Sequence, residues 1–572
     1  MADRTYMGLA RGEGLTLAAL CIFGAVLFAL PLGLLAKVGL TGGGLPSLDP
    51  LREALASGSV RRAAWNSLES SALSGLAALV LGTGLALILG LSDVRAKGVA
   101  VFALLLPMMI PPQVTAIAWV QALGPSSVVL NTLGLAPPPG SAHPLYTPFG
   151  VMLLLSVQHT PLVLLVVLAA LRTLPREMTE AARIFGARPF RLLRRVILPL
   201  LAPTLAAGFM LAFVSALGNF GILAILGIPA RYTTLPVLIW NRLSSFGPGA
   251  LADVAVISML LAGVSLVAIA LQFAMQRRMR SAVVGPPQPP LRIALGPLRP
   301  VAEGVLAVYV AITLLLPLTA LTATALVKTY GLPLTAETLT FGNFAEVLLR
   351  QGSTLRAFGN STLVAGGAAL VIAGLAILIG HAATRRGGGL PRRFGAGFAT
   401  VADVSYAIPG LVISIAFILT FIRPLPVVGV SLYNTLGIIF LAYLTAFLSI
   451  GLKSVVAAYG QLDPALEDAA RVSGARYGMR MRRVFAPLVA PAAASGAILV
   501  FLTAYNEVTV SALLWSTGNE TIGTAIFNYE DGGYTTLAAA MSCVTVVATM
   551  LLMAALDRVG RRLPPGVVPW RA

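Results

Sequence analysis

Long apolar runs separated by short polar segments dominate the pattern of hydrophobic positions along this chain. A bilayer core of about 30 Å is crossed by a helix of roughly 20 mostly apolar residues. The pattern therefore predicts membrane-spanning helices. Twelve runs qualify, at residues 15–35, 69–91, 98–122, 148–171, 200–226, 252–275, 301–327, 361–380, 398–421, 434–452, 490–516 and 537–556.

Composition leads to the same class of protein. The residues AVILMFWYC make up 57% of the chain, charged residues only 11%, and the mean hydropathy is +0.89. Soluble proteins carry about 25% charged residues, so this chain could not cover itself with polar surface. The segment before the first run has no small-residue cleavage site, and we expect that run to remain as a span. The sequence predicts an all-α polytopic membrane protein.

The net charge of +19 has a topological explanation. Basic residues collect on the cytoplasmic segments of membrane proteins. With the N-terminus inside, 30 of the 40 lysines and arginines fall on inner segments. We therefore expect both termini in the cytoplasm and no nucleic-acid partner.

Residues typical of metal centres and catalytic sites are scarce. The two cysteines, Cys21 and Cys543, lie in apolar runs, and the three histidines are far apart in sequence. No spacing resembles a metal site, a nucleotide-binding loop or a zinc-protease motif. We expect no catalytic residue and no metal or cofactor bound by this chain.

Two inner loops repeat one another at an offset of 288 residues. EAARIFGARPFRLLRRVILPLLAP begins at Glu180 and DAARVSGARYGMRMRRVFAPLVAP at Asp468, with 13 of 24 positions identical. Asn66-Ser67 and Asn360-Ser361 also open corresponding spans. The chain is thus expected to be two parallel six-helix repeats, related by an axis along the membrane normal.

The duplication predicts a division of the chain into segments. We expect a first span with an outer loop over 1–60, a first repeat core over 61–275 with its loop at 172–199, a cytoplasmic proline-rich linker over 276–300, span seven with an outer loop over 301–355, a second core over 356–557 with its loop at 453–486, and a cytoplasmic tail over 558–572.

Each repeated loop has the pattern of a short helix, a sharp turn and a basic second arm. Gly186 and Gly474 suit the ends of the helices. One interpretation is an amphipathic helix resting on anionic lipid headgroups. The other is a docking surface for a partner protein. Lipid binding requires a composition and not a fixed residue order, so the shared order of the two loops favours docking.

The E-A-A sequence, the following glycine and the basic stretch resemble the EAA loop of binding-protein-dependent ABC importer permeases. The resemblance covers nearly the whole chain and implies the type I permease fold, with two permease domains fused. The second loop departs from the pattern because Asp468 replaces glutamate. The residues implied to couple to an ATPase are Glu180, Ala181, Ala182, Arg183, Gly186 and Ala187, and Asp468, Ala469, Ala470, Arg471, Gly474 and Ala475.

The resemblance also implies partners and a location. Two copies of a cytoplasmic ABC ATPase, which hold the ATP-Mg, would bind the loops, and a periplasmic binding protein would deliver the substrate. The chain would lie in the bacterial inner membrane. The fused layout is most similar to ferric-iron permeases, so we expect ferric iron. The alternatives are 2-aminoethylphosphonate, thiamine, a polyamine or another small solute.

Polar residues inside apolar runs are candidates for the translocation path. Glu507 lies in the eleventh run beside Asn506, and Asn219 is its counterpart at offset 288. These three residues would line the path, or else form hydrogen bonds between helices. For Glu69 and Asp403, nearer the ends of their runs, an interfacial or structural role is the alternative.

Two other classes of transporter are rivals to this interpretation. A major-facilitator carrier also has twelve spans in two halves, but carries G-x-x-x-D-R between spans two and three. Here that loop reads SDVRAK, which matches poorly. The second rival is an ABC exporter whose subunits lie only in the membrane. Co-purification of a separate ATPase would discriminate among the three.

Overall fold

The computed structural model describes residues 2–41, 47–174, 176–245, 249–278, 293–384, 390–424 and 429–560. Within these ranges the regular structure is helical, apart from isolated β-bridges. Eleven of the described helices are long and apolar enough to cross a membrane, or twelve if one bent pair counts as a single span. The predicted all-α polytopic fold class is confirmed.

In the first half of the chain, the long helices are joined by short ones at both membrane faces. They are α1 (Ala2–Gly24), α2 (Leu30–Thr41), α3 (Asp49–Ala56), α4 (Gly58–Leu91), α5 (Lys97–Met109), α6 (Pro112–Leu123), α7 (Val128–Thr132), α8 (Pro148–Leu171), α9 (Arg176–Ile184), α10 (Pro189–Leu192), α11 (Leu198–Leu217), α12 (Leu235–Ser244) and α13 (Ala250–Arg278).

The second half has a matching succession of helices. They are α14 (Arg299–Val310), α15 (Leu316–Ala325), α16 (Gly342–Ala345), α17 (Gly352–Thr384), α18 (Leu390–Ala407), α19 (Gly410–Phe421), α20 (Leu436–Tyr459), α21 (Ala465–Val472), α22 (Tyr477–Arg480), α23 (Ala486–Tyr505), α24 (Ser511–Leu514), α25 (Ile522–Asp531) and α26 (Thr535–Gly560).

The third span of each copy is broken, and the prediction of continuous helices over 98–122 and 398–421 was wrong. The first break separates α5 from α6 at Ile110 and Pro111, whose ψ angles are 134° and 136°. The second separates α18 from α19 at Pro409, with a bend of 109°. Proline lacks an N–H and disfavours the helical conformation in the residue before it. An apolar run cannot show this break.

The helices of the fifth and eleventh spans begin and end earlier in the sequence than the apolar runs 200–226 and 490–516 indicated. A continuous helical stretch extends over Pro189–Leu217, through α10, a π-helical turn and α11. Its counterpart extends over Tyr477–Tyr505. The apolar run is interrupted at the arginines. Arginine is a good helix former, however, so the helix continues through them. The basic arm of each loop is therefore the inner end of a span.

Helix packing follows the duplication. In the first copy α4, α8 and α11 pack together, and in the second copy α17, α20 and α23 do the same. The approach of α4 to α8 is close at Gly82, where an added Cβ would lie 2.8 Å from the carbonyl oxygen of Thr160. A side chain at this position would push the two helices apart.

The two copies are interleaved through their first and third spans. Helix α2, from the first span, packs against α19 of the second copy. Helix α15, from the seventh span, packs against α6 of the first copy. Each broken third span is therefore held by the first span of the other copy. Movement of one half must change this shared interface.

The C-terminal end of the segment 276–300 is attached to the first copy. Positions 279–292 of this predicted linker lie outside the described residues. The N–H of Ile293 donates to the Leu91 carbonyl (2.7 Å), and that of Leu295 to the Asp93 carboxylate (3.0 Å). The Leu295 hydrogen bond, with attraction from Arg299, lowers the pKa of Asp93. Residues 293–295 therefore attach the start of the seventh span to the end of α4 and the loop between α4 and α5 of the first copy.

Candidate functional site

The first repeated loop is a short helix closed by a left-handed glycine. Helix α9 carries the Glu180–Arg183 stretch, and Gly186 follows with φ +76°. The Gly186 N–H donates to the Arg183 carbonyl (2.9 Å) and the Ala187 N–H to the Ala182 carbonyl (2.9 Å). This pair of bonds is the Schellman ending of a helix.

The second loop repeats this geometry. Gly474 has φ +74° after α21. Its N–H donates to the Arg471 carbonyl (2.9 Å), and the Ala475 N–H donates to the Ala470 carbonyl (3.0 Å). Glycine adopts this conformation without the steric cost that a Cβ brings. The prediction that both glycines end helices is confirmed.

Both loops present apolar tips that the described chain leaves uncovered. Ile184 and Phe185 are 83% and 89% exposed, and Val472 at the matching point of the second loop is 90% exposed. Ala182 and Ala187 face inward and pack on the membrane core of the first copy. Exposed apolar clusters of this kind mark interaction surfaces. In the rest of the predicted coupling set, Ala470 and Ala475 are half-buried, and the exposed residues are Glu180, Ala181, Arg183, Gly186, Asp468, Ala469, Arg471 and Gly474.

Each loop is continuous with a span that ends at the boundary between the two copies. From Pro189 to Leu217 the helical stretch has 29 residues, which corresponds to about 43 Å at 1.5 Å per residue. The counterpart from Tyr477 to Tyr505 has the same length. Each loop and the boundary between the copies therefore lie at opposite ends of one helical stretch.

Asn219 and Glu507 lie just beyond these helix ends and not within the helices of their spans. The Asn219 side chain accepts the N–H of Ile222 (3.0 Å). The Glu507 carboxylate accepts the N–H groups of Val510 (2.5 Å) and Ser511 (3.1 Å). Both residues cap the turn that follows their span. This supports the structural alternative, and a role in the path stays a prediction.

Asn506 connects the two copies. Its side-chain amide donates to the carbonyl of Met109 (3.3 Å), where the third span of the first copy breaks, and to Thr549 (3.4 Å). At the matching position Gly218 packs on Pro409, and an added Cβ would lie 3.4 Å from the proline Cβ. The C-terminal end of the fifth span therefore contacts the broken third span of the second copy, and that of the eleventh span contacts the broken third span of the first copy. We call this contact region the seam.

Gln113, which sequence reasoning missed, occupies the seam. Its side chain is fully buried, and neither amide atom has a hydrogen-bonding partner among the described residues. It lies between Gly221 and Gly523, whose added Cβ atoms would each be 3.2 Å from an atom of its amide. An amide directly after Pro111-Pro112, in a run whose other polar residues are Thr115 and Gln121, was the signal available in the sequence.

The other two intramembrane carboxylates have local partners. Glu69 accepts a hydrogen bond from the hydroxyl of Tyr232 (2.9 Å). Asp403 accepts one from Ser449 and lies 3.5 Å from the ammonium of Lys453. These contacts fit the structural alternative for both carboxylates. Among the described residues, no three His, Cys, Asp or Glu side chains gather as a metal site would require.

The Asn-Ser pairs identified in the sequence serve as matched anchors. Ser67 accepts the N–H of Leu235 (2.8 Å) at the start of α12, and Ser361 accepts that of Ile522 (2.9 Å) at the start of α25. Asn66 and Asn360 donate to carbonyls just before the same helices. The second and eighth spans thereby fix two equivalent helices that follow the seam.

Comparison with known proteins agrees with this duplicated architecture. The family described as "Binding-protein-dependent transport system inner membrane component" matches residues 82–281 and 374–565. A probable ABC transporter permease of Sinorhizobium fredii is 27% identical, over 92% of both chains. A probable molybdenum ABC transporter permease of Haloferax volcanii is 32% identical, over 38% of this chain and 76% of its own. A putative 2-aminoethylphosphonate transport system permease of Salmonella choleraesuis is 30% identical, over 38% and 77%.

The family match covers both copies of the repeat, with an EAA loop inside each matched segment. The relative from Sinorhizobium fredii spans both copies, as its coverage shows. This chain therefore belongs to the binding-protein-dependent transport system inner membrane components, as a fused two-domain permease of the ABC importer type.

Proposed function

We propose that the chain forms the translocation path of an ATP-driven importer and that its two repeated loops dock two copies of a cytoplasmic ATPase. The ATPase subunits would hold ATP-Mg, and a periplasmic binding protein would meet the outer face. Both termini would then lie in the cytoplasm of a bacterial cell. Membership of the family sets aside the major-facilitator and exporter alternatives.

One observation carries this proposal. In each copy, a loop with an exposed apolar tip and the seam lie at opposite ends of the same helical stretch. The loops would follow the closing of the ATPases, and the fifth and eleventh spans would carry that displacement to the seam. Since each span end contacts the other copy, the displacement would separate the two halves there.

We propose that the seam is a gate and that it is closed in this structure. Gln113 is buried between glycines with its amide unpaired among the described residues. A buried amide without partners is unfavourable by roughly 1–3 kcal/mol. Opening would let water or substrate satisfy the amide, so the cost of separating the halves would be partly offset. We therefore add Gln113 to the proposed path residues Asn219, Asn506 and Glu507.

For the substrate, ferric iron remains the first candidate, on the resemblance of the fused layout. Glu507 is occupied by two backbone N–H groups, so the path would hold iron only transiently and the binding protein would select it. The second candidate is 2-aminoethylphosphonate, favoured by the relative named for that solute. Thiamine, a polyamine or another small solute are the remaining alternatives.

Reconstitution tests the proposal. The purified chain should bring down a separate ATPase, and proteoliposomes should hydrolyse ATP faster when the loaded binding protein is outside. Uptake of radioactive iron and of 2-aminoethylphosphonate would be compared in the same vesicles. Uptake that continues without the ATPase would refute the proposal.

A labelling experiment tests the gate. Gln113→Cys, in a chain with Cys21 and Cys543 replaced by alanine, should resist a water-soluble thiol reagent at rest and react during ATP turnover. Leu133→Cys, on an exposed outer loop, should react in both states. Equal reactivity of the Gln113→Cys thiol with and without ATP would contradict a gate at the seam.

A further inference from the structure

A half-buried carboxylate on the second repeated loop lies among basic side chains. Glu467, on α21, is 17% exposed and lies 2.6 Å from the guanidinium of Arg471. The guanidinium of Arg480 and the imidazole of His381 each lie 4.0 Å from the same carboxylate oxygen. The side chains of Arg480 and His381 are only 3% and 5% exposed. Arg480 belongs to α22 and His381 to the inner end of α17, so the carboxylate connects three elements.

Aromatic rings surround the imidazole. Its centroid lies 4.7 Å from that of Phe485, 5.9 Å from that of Tyr477 and 6.0 Å from that of Tyr459. These rings come from the end of α20 and from the beginning of the eleventh span. They exclude water from one side of the cluster, and charge interactions are stronger where water is excluded.

The first copy has apolar residues at the same place. At the offset of 288, Leu171, Leu192 and Ile197 of the first copy correspond to Tyr459, Arg480 and Phe485 of the second. All three are buried in one apolar cluster. Thr179 of the first copy corresponds to Glu467. Helices α4 and α17 are continuous, and their matched anchors Asn66 and Asn360 are 294 residues apart, so His381 corresponds to Leu87, which packs against the same apolar cluster.

The two loops are therefore attached to their spans by different physical means. Apolar packing is non-directional and tolerates small shifts of one element over another. The guanidinium of Arg480, only 3% exposed, needs a carboxylate at short range, because an unpaired buried charge is costly. The second loop should accordingly keep one register on the ends of α17 and α20.

We propose that Glu467, Arg480 and His381 form a polar latch that positions the second coupling loop and that the coupling of ATP hydrolysis to transport through this loop depends on the latch. At the matching place the first copy has the buried apolar side chains of Leu171, Leu192 and Ile197. This inference rests on the proposed function, since it presumes that the loop docks an ATPase. These three are positioning residues and do not contact substrate.

The test exchanges the latch for the residues of the first copy. Glu467→Thr leaves the basic side chains without their carboxylate, and substrate transported per ATP should fall about fivefold or more, within the usual range of coupling between sites. The triple variant His381→Leu, Glu467→Thr, Arg480→Leu recreates the apolar arrangement and should restore the ratio. Glu346→Gln is the matched control, because it removes an exposed i,i+4 contact to Arg350 (3.4 Å) and should change nothing.

The outcomes separate the latch from the proposed function. A normal transport ratio in Glu467→Thr would overturn the latch. A triple variant as uncoupled as the single one would also overturn it, since the carboxylate would then act directly on the ATPase. If Glu467→Thr does not fold, Glu467→Gln keeps the shape, loses the charge and should lower the ratio. Failure of the unaltered chain to bind any ATPase would refute the proposed function itself.

Discussion

The two left-handed glycines allow a prediction in which the backbone alone is perturbed. Gly186 and Gly474 have φ angles of +76° and +74°, and a Cβ added at either would meet no atom within 4 Å. Replacement by alanine therefore changes no packing contact. Its effect comes from the conformation, which is unfavourable for a residue with a Cβ.

The magnitude follows from that conformation. A left-handed residue with a Cβ costs roughly 1–2 kcal/mol relative to glycine. Such an energy changes the population of the loop conformation seen in this structure by a factor of about 5–30. Both loops are at the ends of spans and outside the apolar helices, so the membrane core should stay folded. We expect Gly186→Ala with Gly474→Ala to insert normally, to bind the ATPase more weakly and to transport less substrate per ATP.

The assay is uptake and ATP hydrolysis in proteoliposomes that contain the ATPase and the binding protein. Gly478→Ala is the matched control, because Gly478 lies in helix α22 of the same loop region and its added Cβ also meets nothing within 4 Å. Asparagine at position 186 should restore part of the coupling, since asparagine tolerates positive φ better than alanine. The reasoning is refuted if the double alanine variant transports as the unaltered chain does.

Three further predictions concern stability in detergent. Gly82→Ala should lower the free energy of unfolding by about 1–3 kcal/mol in a chemical denaturation, because its Cβ would meet α8, whereas Gly84→Ala meets nothing and should not. Glu507→Ala should cost roughly 0.5–2 kcal/mol through loss of a backbone cap, and Glu507→Gln less; equal losses would contradict the capping role. Burial raises the pKa of Glu530 to about 7. The protonated form therefore stabilises the fold at low pH, and this stability is lost as the pH rises through 7. Melting temperatures from pH 5.5 to 8.5 should show the loss, and Glu530→Gln should remove it.

Local chemistry made part of this protein predictable from its sequence. A long apolar run predicts a membrane-spanning helix, because backbone N–H and C=O groups inside a bilayer must form their hydrogen bonds within the helix. The repeated loops could be located to the residue, since a glycine such as Gly186 ends a helix through its own φ angle. The duplication and the matching pairs at Asn66 and Asn360 could be recognised from residue order, but the hydrogen bonds by which these pairs anchor α12 and α25 could not.

Only the tertiary structure decided where these elements meet. The interleaving of α2 with α19 and of α15 with α6 depends on packing between distant segments, which hydropathy does not encode. The sequence marked Glu507 as an unusual carboxylate within an apolar run. Its capping role could not be predicted, because the helix ends just before Glu507 and the sequence did not show that end. Gln113 became notable only once Gly221 and Gly523 were seen to enclose it. Spans and loops follow from solvation and backbone geometry, whereas the seam follows from contacts between the two copies.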